Sequence, residues 1–123
     1  MLDHVLIDVD DIDASRTFYE AALAPLGVDV ASEPAPNMLG FGEAGTPYFW
    51  VMERGRPSTA NSHVCFGAPT RDAVDAFHAA GVAAGGTDNG APGLRGYHAS
   101  YYAAFVLDPD GNNIEAVCHA PVD

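Results

Sequence analysis

Three residues in this chain have side chains suited to one shared task. His4 lies in "LDHVLIDV", His63 in "NSHVCFGA" and Glu115 in "DPDGNNIEAV". Two neutral imidazoles and one carboxylate suit a divalent transition metal. Such a set leaves coordination positions open for substrate; it is best known for Fe(II), and Mn(II), Zn(II) and Ni(II) accept it as well. Each residue taken alone also has an ordinary explanation. A strand histidine can be a partly buried hydrogen-bonding residue, and a strand glutamate can face solvent. What joins the three is where the elements of the chain put them.

The segment 2–9 alternates and is β-branched, which predicts a strand. "DDIDASRTFYEAAL" follows, with Asp13 as the expected N-cap and an apolar stripe of Ile12, Phe18, Ala22 and Leu23 at helical spacing. Pro25 and Gly27 end that helix. Strands are expected near 28–33, 37–42 and 47–53, separated by the turn segments "EPAPN" and "GEAGTP". The pattern then restarts with "NSHVCFGAPTRDAVDAFHAAGV". At an offset of 59 residues His4 falls on His63, Val5 on Val64, Ile7 on Phe66, Asp13 on Asp72 and Phe18 on Phe77. Strands near 85–90, 100–107 and 113–119 complete the second half. The chain therefore reads as one α+β domain of two βαβββ modules, about 1–55 and 60–123.

Strand alternation decides which side chains share a face. His4 shares one with Leu2 and Leu6, His63 with Cys65, and Glu115 with Val117. The other faces, with Val5, Ile7 and Val9, with Val64 and Phe66, and with Ile114, Ala116 and Cys118, are apolar and await the helices. The ligand-bearing faces carry few charges, unlike an ordinary solvent face, and read as the wall of a pocket. Cys65 belongs to that wall and Cys118 to the core, so no disulfide is expected between them. "GLRGYHASYY" leads into the strand near 100–107. Tyr101, Ala103 and Phe105 share one face of it and Tyr102, Ala104 and Val106 the other. These aromatics either pack on the helices or line the pocket, with His98 as an acid–base group near neutral pH. Arg95 and Arg56 are two of only five basic residues and either hold an acidic substrate or lie on the surface.

Seventeen acids against five bases give a net charge of −12. Such a chain repels phosphate backbones and anionic bilayers, so neither nucleic acid nor a membrane is an expected partner. The charge serves solubility or attracts cations. The N-terminal segment lacks a signal peptide's basic region and long apolar run, and no stretch approaches the roughly 20 apolar residues of a membrane span. With only two cysteines, a cytoplasmic protein with free thiols is expected.

"DHV" in the first strand, "SHV" in the second module and the closing "DPDGNNIE", set in a repeated βαβββ pattern, resemble the vicinal oxygen chelate superfamily. That superfamily includes glyoxalase I, extradiol dioxygenases, fosfomycin-resistance enzymes and bleomycin-resistance proteins. The resemblance spans essentially the whole chain. It implies mixed sheets curled into a cup with helices on the outer face, a divalent metal (Fe, Ni, Zn or Mn) held by His4, His63 and Glu115, and a homodimer. Two positions depart from relatives. Glyoxalase I carries a fourth ligand where "PYFWVMER" has Trp50, whose indole only donates. Extradiol dioxygenases carry a tyrosine where this chain has Phe105.

Three functions follow as expectations. The first is a metal-dependent enzyme of the lyase/isomerase or dioxygenase type. It would stabilise an enolate or oxyanion on a small substrate with neighbouring oxygens, with His98, Tyr101 or Tyr102 moving the proton and Trp50, Leu6, Cys65, Arg95 and Phe105 lining the pocket. The second is a metal-free protein that sequesters a small molecule, a cationic planar one stacking on the aromatics. The third is a module with no ligand, which should fill its cavity face with apolar side chains.

Overall fold

The computed structural model describes residues 1–121. The first half consists of β1 (Val5–Asp8), α1 (Ile12–Leu23), β2 (Asp29–Ala35), β3 (Met38–Glu43) and β4 (Thr46–Met52). The second repeats that order as β5 (His63–Gly67), α2 (Arg71–Ala83), β6 (Thr87–Leu94), β7 (Tyr102–Leu107) and β8 (Asn113–Cys118). The strands form two four-stranded mixed sheets of matching order, β1-β4-β3-β2 and β5-β8-β7-β6. The expected tandem βαβββ architecture is present, and the open sheets are consistent with a curled cup.

Several boundaries shift. β1 begins at Val5, so His4 stands just before the strand rather than within it, in an exposed N-terminal segment. β6 runs to Leu94, beyond the expected 90, because β7 offers it partners as far as Tyr102. Tyr101 therefore sits at the mouth of the β6–β7 hairpin. The N-cap of α1 is Asp11, not Asp13: its carboxylate accepts from the backbone N–H of Asp13 at 2.9 Å and Ala14 at 3.2 Å. Asp13 lies in the first turn, where its charge favours the positive end of the helix. Glu53 satisfies a further free donor, accepting from the Ile12 N–H at 2.8 Å.

One core serves both modules. Phe18, Tyr19, Ala22 and Leu23 of α1 and Val74 and Phe77 of α2 are fully buried. The helices meet where a residue is small: a methyl group at Gly81 would lie 3.4 Å from both Ala22 Cβ and Phe18 Cε1. Phe49 of the first sheet meets Phe66 of the second edge to face, at 5.4 Å between centroids. Burying each such ring is worth roughly 1.5–3 kcal/mol.

The turn between β7 and β8 ties these parts together. Asp108, 4% exposed, accepts from the backbone N–H of Asp110 and Asn112, from the Asn112 side chain at 3.0 Å and from the Tyr19 hydroxyl at 2.5 Å. Asn112, fully buried, accepts from the Ser62 N–H and hydroxyl and donates to the Thr59 carbonyl. Gly111 supplies the left-handed residue of the turn, at φ +89°.

Burial and the Asp108 carboxylate hold the Tyr19 hydroxyl well above the ordinary phenol range. In the unfolded chain that phenol ionises near pH ~10. The folded state therefore keeps a proton that the unfolded state loses: this stabilisation is complete below that pH and fades as pH rises through it. Tyr19→Phe is expected to cost about 1–3 kcal/mol at neutral pH and to flatten the alkaline limb of stability. Urea unfolding from pH 7 to 11 (~4 units, spanning the phenol's ordinary value) measures both effects.

Candidate functional site

The register of the second sheet brings two of the three candidate ligands together. β5 and β8 pair in parallel, with His63 opposite Asn113 and Cys65 opposite Glu115. His63, Cys65 and Glu115 therefore face the same side, away from α2. His63 Nε2 lies 2.7 Å from Glu115 Oε1. The hydroxyl of Tyr101 donates to the other carboxylate oxygen, Oε2. Glu115 is 2% exposed, whereas the His63 ring is half-exposed. A buried carboxylate is tolerated when its oxygens are engaged, and here both are. Tyr101's hydroxyl is correspondingly held above its usual range, first by the bond to Glu115 and then by burial.

The rest of this face follows from cross-strand pairing. Phe105 of β7 is opposite Glu115 on one side and Gly90 of β6 on the other. Its ring lies 6.1 Å from that of His63 and 5.4 Å from the guanidinium carbon of Arg95. Beyond Tyr101 come His98, at 6.0 Å between ring centroids, Tyr97 at 5.1 Å and His119 at 5.2 Å. His119 is absent from the sequence-based candidates, although strand parity could have found it, since it continues the alternation Glu115, Val117, His119. Tyr102 turns the other way. Its hydroxyl donates to Asp75 of α2 at 2.6 Å and Arg71 sits over its ring. That places it on the helix face rather than beside the His63–Glu115 pair, the first of the two placements expected for these aromatics.

His4 lies elsewhere. Its Nδ1 is 2.7 Å from Asp3. It borders a cavity of about 290 Å³ between the modules, shared with Val5, Tyr48, Val64 and Cys65. It also borders a second cavity of about 320 Å³ with Leu6, Met38, Pro47 and Trp50. Trp50 lies across β3, where its neighbour is Gly40; a methyl group there would come within 2.8 Å of the indole. The ligand-type position on β4 is thus occupied by an apolar plate. Among the described residues no three His, Cys, Asp or Glu side chains are grouped closely enough to hold a metal ion. One chain supplies an imidazole and a carboxylate in contact, two donors of the expected three.

Cys65 and Cys118 are both free thiols. Burial first, and then the neighbouring Glu115 charge, push the Cys65 thiol up to about 12. The raised pKa favours the protonated thiol at neutral pH and disfavours a nucleophilic role, although the residue is exposed. Of the two candidate arginines, Arg56 acts on Asp8 beside the Arg54–Asp8 pair of the first module, and Arg95 belongs to the face described above. No helix among the described residues is long and apolar enough to cross a membrane.

Residues 1–116 match the family model of the Glyoxalase/Bleomycin resistance protein/Dioxygenase superfamily. Among solved structures, a glyoxalase/bleomycin resistance protein from Albidiferax ferrireducens T118 is similar at a TM-score of 0.81 and 34% identity, over 96% of this chain and 97% of that one. A glyoxalase/bleomycin resistance protein/dioxygenase family enzyme from Burkholderia phytofirmans PsJN gives 0.74 and 25%, over 97% and 98%. A glyoxalase I variant from Zea mays shares the fold, at 0.70 and 24%, over 94% of this chain and 45% of that one. A comparison with curated proteins finds no match.

Because the Glu115 charge raises the Cys65 pKa, Glu115→Gln should lower it and speed alkylation. Iodoacetamide labelling of Cys65 at pH 8, followed by mass spectrometry, should be slow in the native protein and several-fold faster in the variant, at about tenfold more thiolate per unit of pKa lowered. Equal rates would remove the electrostatic coupling inferred here.

Proposed function

Since this chain belongs to the glyoxalase/bleomycin resistance protein/dioxygenase superfamily, we propose that it is a metal-dependent enzyme acting on a small molecule with neighbouring oxygens. The reaction would be of the lyase/isomerase or dioxygenase kind. The observation that carries this reading is the 2.7 Å contact between His63 and the buried Glu115 on the cup face of the second sheet. Burying a carboxylate costs several kcal/mol unless something compensates it. Tyr101 and His63 supply that compensation, and the His63 ring remains half-exposed to a ligand.

A third donor has to come from outside this arrangement, and His4 is the residue of matching type and module position. We propose that two copies of the chain associate, with His4 of one completing the His63–Glu115 pair of the other. The donor set of two imidazoles and a carboxylate then fits Fe, Ni, Zn or Mn. A divalent ion in such a set supplies Lewis-acid stabilisation of negative charge developing on substrate oxygens. The chain's own residues do the rest. Tyr101 fixes the Glu115 carboxylate, Phe105 covers the pair from the neighbouring strand, and His98, next to Tyr101, is placed to exchange a proton with substrate. The cytoplasm is the proposed compartment, in keeping with two free thiols.

A second reading has its own support. The indole of Trp50, lying across Gly40 at the edge of a cavity also lined by Asp3, His4, Leu6, Met38 and Pro47, is a stacking platform that a metal-free binding protein would use. Loss of tryptophan fluorescence changes with small planar ligands would remove it.

Subunit mixing tests the first reading. His4→Ala and Glu115→Gln should each bind metal at least tenfold more weakly than the native protein, since each loses a ligand. Co-refolded together, the two variants should regain about one native-like site per mixed dimer, because one site then draws His4 and Glu115 from different intact chains. Mixtures no better than the separate variants, or a monomer in solution, would contradict the shared site.

A further inference from the structure

The cup face of the second sheet carries a positive charge that the proposed metal site does not use. The chain has five basic residues against seventeen acidic ones. Arg16 pairs with Glu20 and Glu33, and Arg54 pairs with Asp8. Arg56 acts on Asp8 and Arg71 lies over Tyr102. Arg95 forms no salt bridge among the described residues, yet it is held in place. Its Nη2 donates to the Ala91 carbonyl at 2.7 Å, its backbone N–H donates to the Tyr101 carbonyl at 2.8 Å, and its guanidinium carbon lies 5.4 Å from the Phe105 ring centre.

The opposite wall is cut back to make room for it. A methyl group at Gly90 would lie 2.8 Å from Phe105 Cδ2 and 3.3 Å from Arg95 Nη2, and one at Gly93 would lie 3.1 Å from Arg95 Nη1. Two glycines on β6 thus let the guanidinium lie between that strand and the phenyl ring. A side chain that merely stapled the hairpin would need only the Ala91 contact. The remaining donors of the fork, on Nε and Nη1, have no protein acceptor among the described hydrogen bonds. A planar, pre-oriented guanidinium with free donors is suited to bidentate recognition of a carboxylate.

Phe105 separates this cation from the reacting pair. Its ring is 5.4 Å from the guanidinium carbon on one side and 6.1 Å from the His63 ring on the other. A ligand anchored at Arg95 and lying across the phenyl ring reaches the His63–Glu115 pair within a few carbon atoms.

We propose that Arg95 is a substrate anchor, and that the site takes small, flat monocarboxylates with a second oxygen function a few carbons from the carboxylate. The inference rests on the site proposed at His63 and Glu115. It also accounts for how an acidic chain can accept an anion: a single local cation offsets the long-range repulsion for a monoanion, whereas a multiply charged ligand would be repelled more strongly.

Calorimetric titration of the full-length protein with the three hydroxybenzoate isomers, and with hydroxybenzamide as the uncharged match, tests this. At least one hydroxybenzoate should bind saturably and the amide should not. Arg95→Gln should weaken that binding roughly ten- to a hundred-fold, the loss expected for a charge-assisted hydrogen bond. Gly90→Ala should weaken it as well by displacing Phe105 and Arg95, while Arg56→Gln, the same change in charge away from Phe105, should leave it unaltered. Equal binding by Arg95→Gln and native protein, binding of the amide as tight as the acid, or no binding of any isomer up to ~10 mM would overturn the proposal. Ni(II) uptake by Arg95→Gln, measured alongside, separates the two ideas. Normal uptake with lost carboxylate binding isolates the anchor, whereas absence of uptake in every form, native included, removes the metal reading and leaves the anchor to stand on the carboxylate data.

Discussion

The buried carboxylate of Asp108 is the constraint on which the arrangement of this molecule depends. An ionisable group at 4% exposure is stable only if its oxygens are fully engaged, and meeting that requirement fixes three parts of the chain. Tyr19 brings α1, the two backbone N–H groups shape the turn, and Asn112 carries the connection to Ser62 and Thr59 in the segment between modules. Asn113 then donates from its backbone to Ser62, and the parallel pairing of β5 with β8 starts from that bond. A slip of one residue would turn Glu115 into the helix face and Ile114 into the cup. The proximity of His63 and Glu115 is therefore a consequence of a hydrogen-bonded turn several residues away.

The two modules share an architecture and have diverged in what they present. On the first sheet the cup face holds Leu6, Trp50 and Gly40 in register, with His4 at one margin and the Asp8–Arg54 ion pair at the other. On the second it holds a hydrogen-bonded set of Tyr101, Glu115 and His63, with Phe105 and Arg95 beside it. Two sheets of equal strand order thus offer a largely apolar wall and a polar one. A site built where such walls meet combines apolar contact with directed polar contact, the usual division of labour in small-molecule pockets.

Much of this was legible in the sequence. The doubled helical stripe and the paired "HV" segments marked the repeat, and parity along the strands put His63 with Cys65 and Glu115 with Val117, each opposite an apolar face; the β5–β8 register then joins them. The same parity assigned Tyr101 and Phe105 to one side of β7 and Tyr102 to the other, and the contact of Tyr102 with Asp75 shows which side the helix covers. What parity does not carry is distance between elements. His4 and His63 occupy equivalent places in their modules, yet nothing in a periodic pattern says whether equivalent places meet within one chain. The cap of α1 misled because Asp11 and Asp13 are both competent caps, and the start at Ile12 is supported by a non-local partner, Glu53, 41 positions further along, which accepts from the Ile12 N–H. Arg95 could be picked out by its rarity, but its cradle of Gly90, Gly93 and Phe105 depends on the β6–β7 pairing.

The central claim is that the His63–Glu115 pair is two thirds of a metal site completed by a second copy. The most direct measurement is anomalous diffraction from crystals grown with Ni(II) or Zn(II). The account predicts one strong peak per chain, within bonding distance of His63, Glu115 and a His4 belonging to the neighbouring copy of a dimer. A peak absent from the pair, or a dimer in which His4 stays far from it while the metal binds elsewhere, would contradict it.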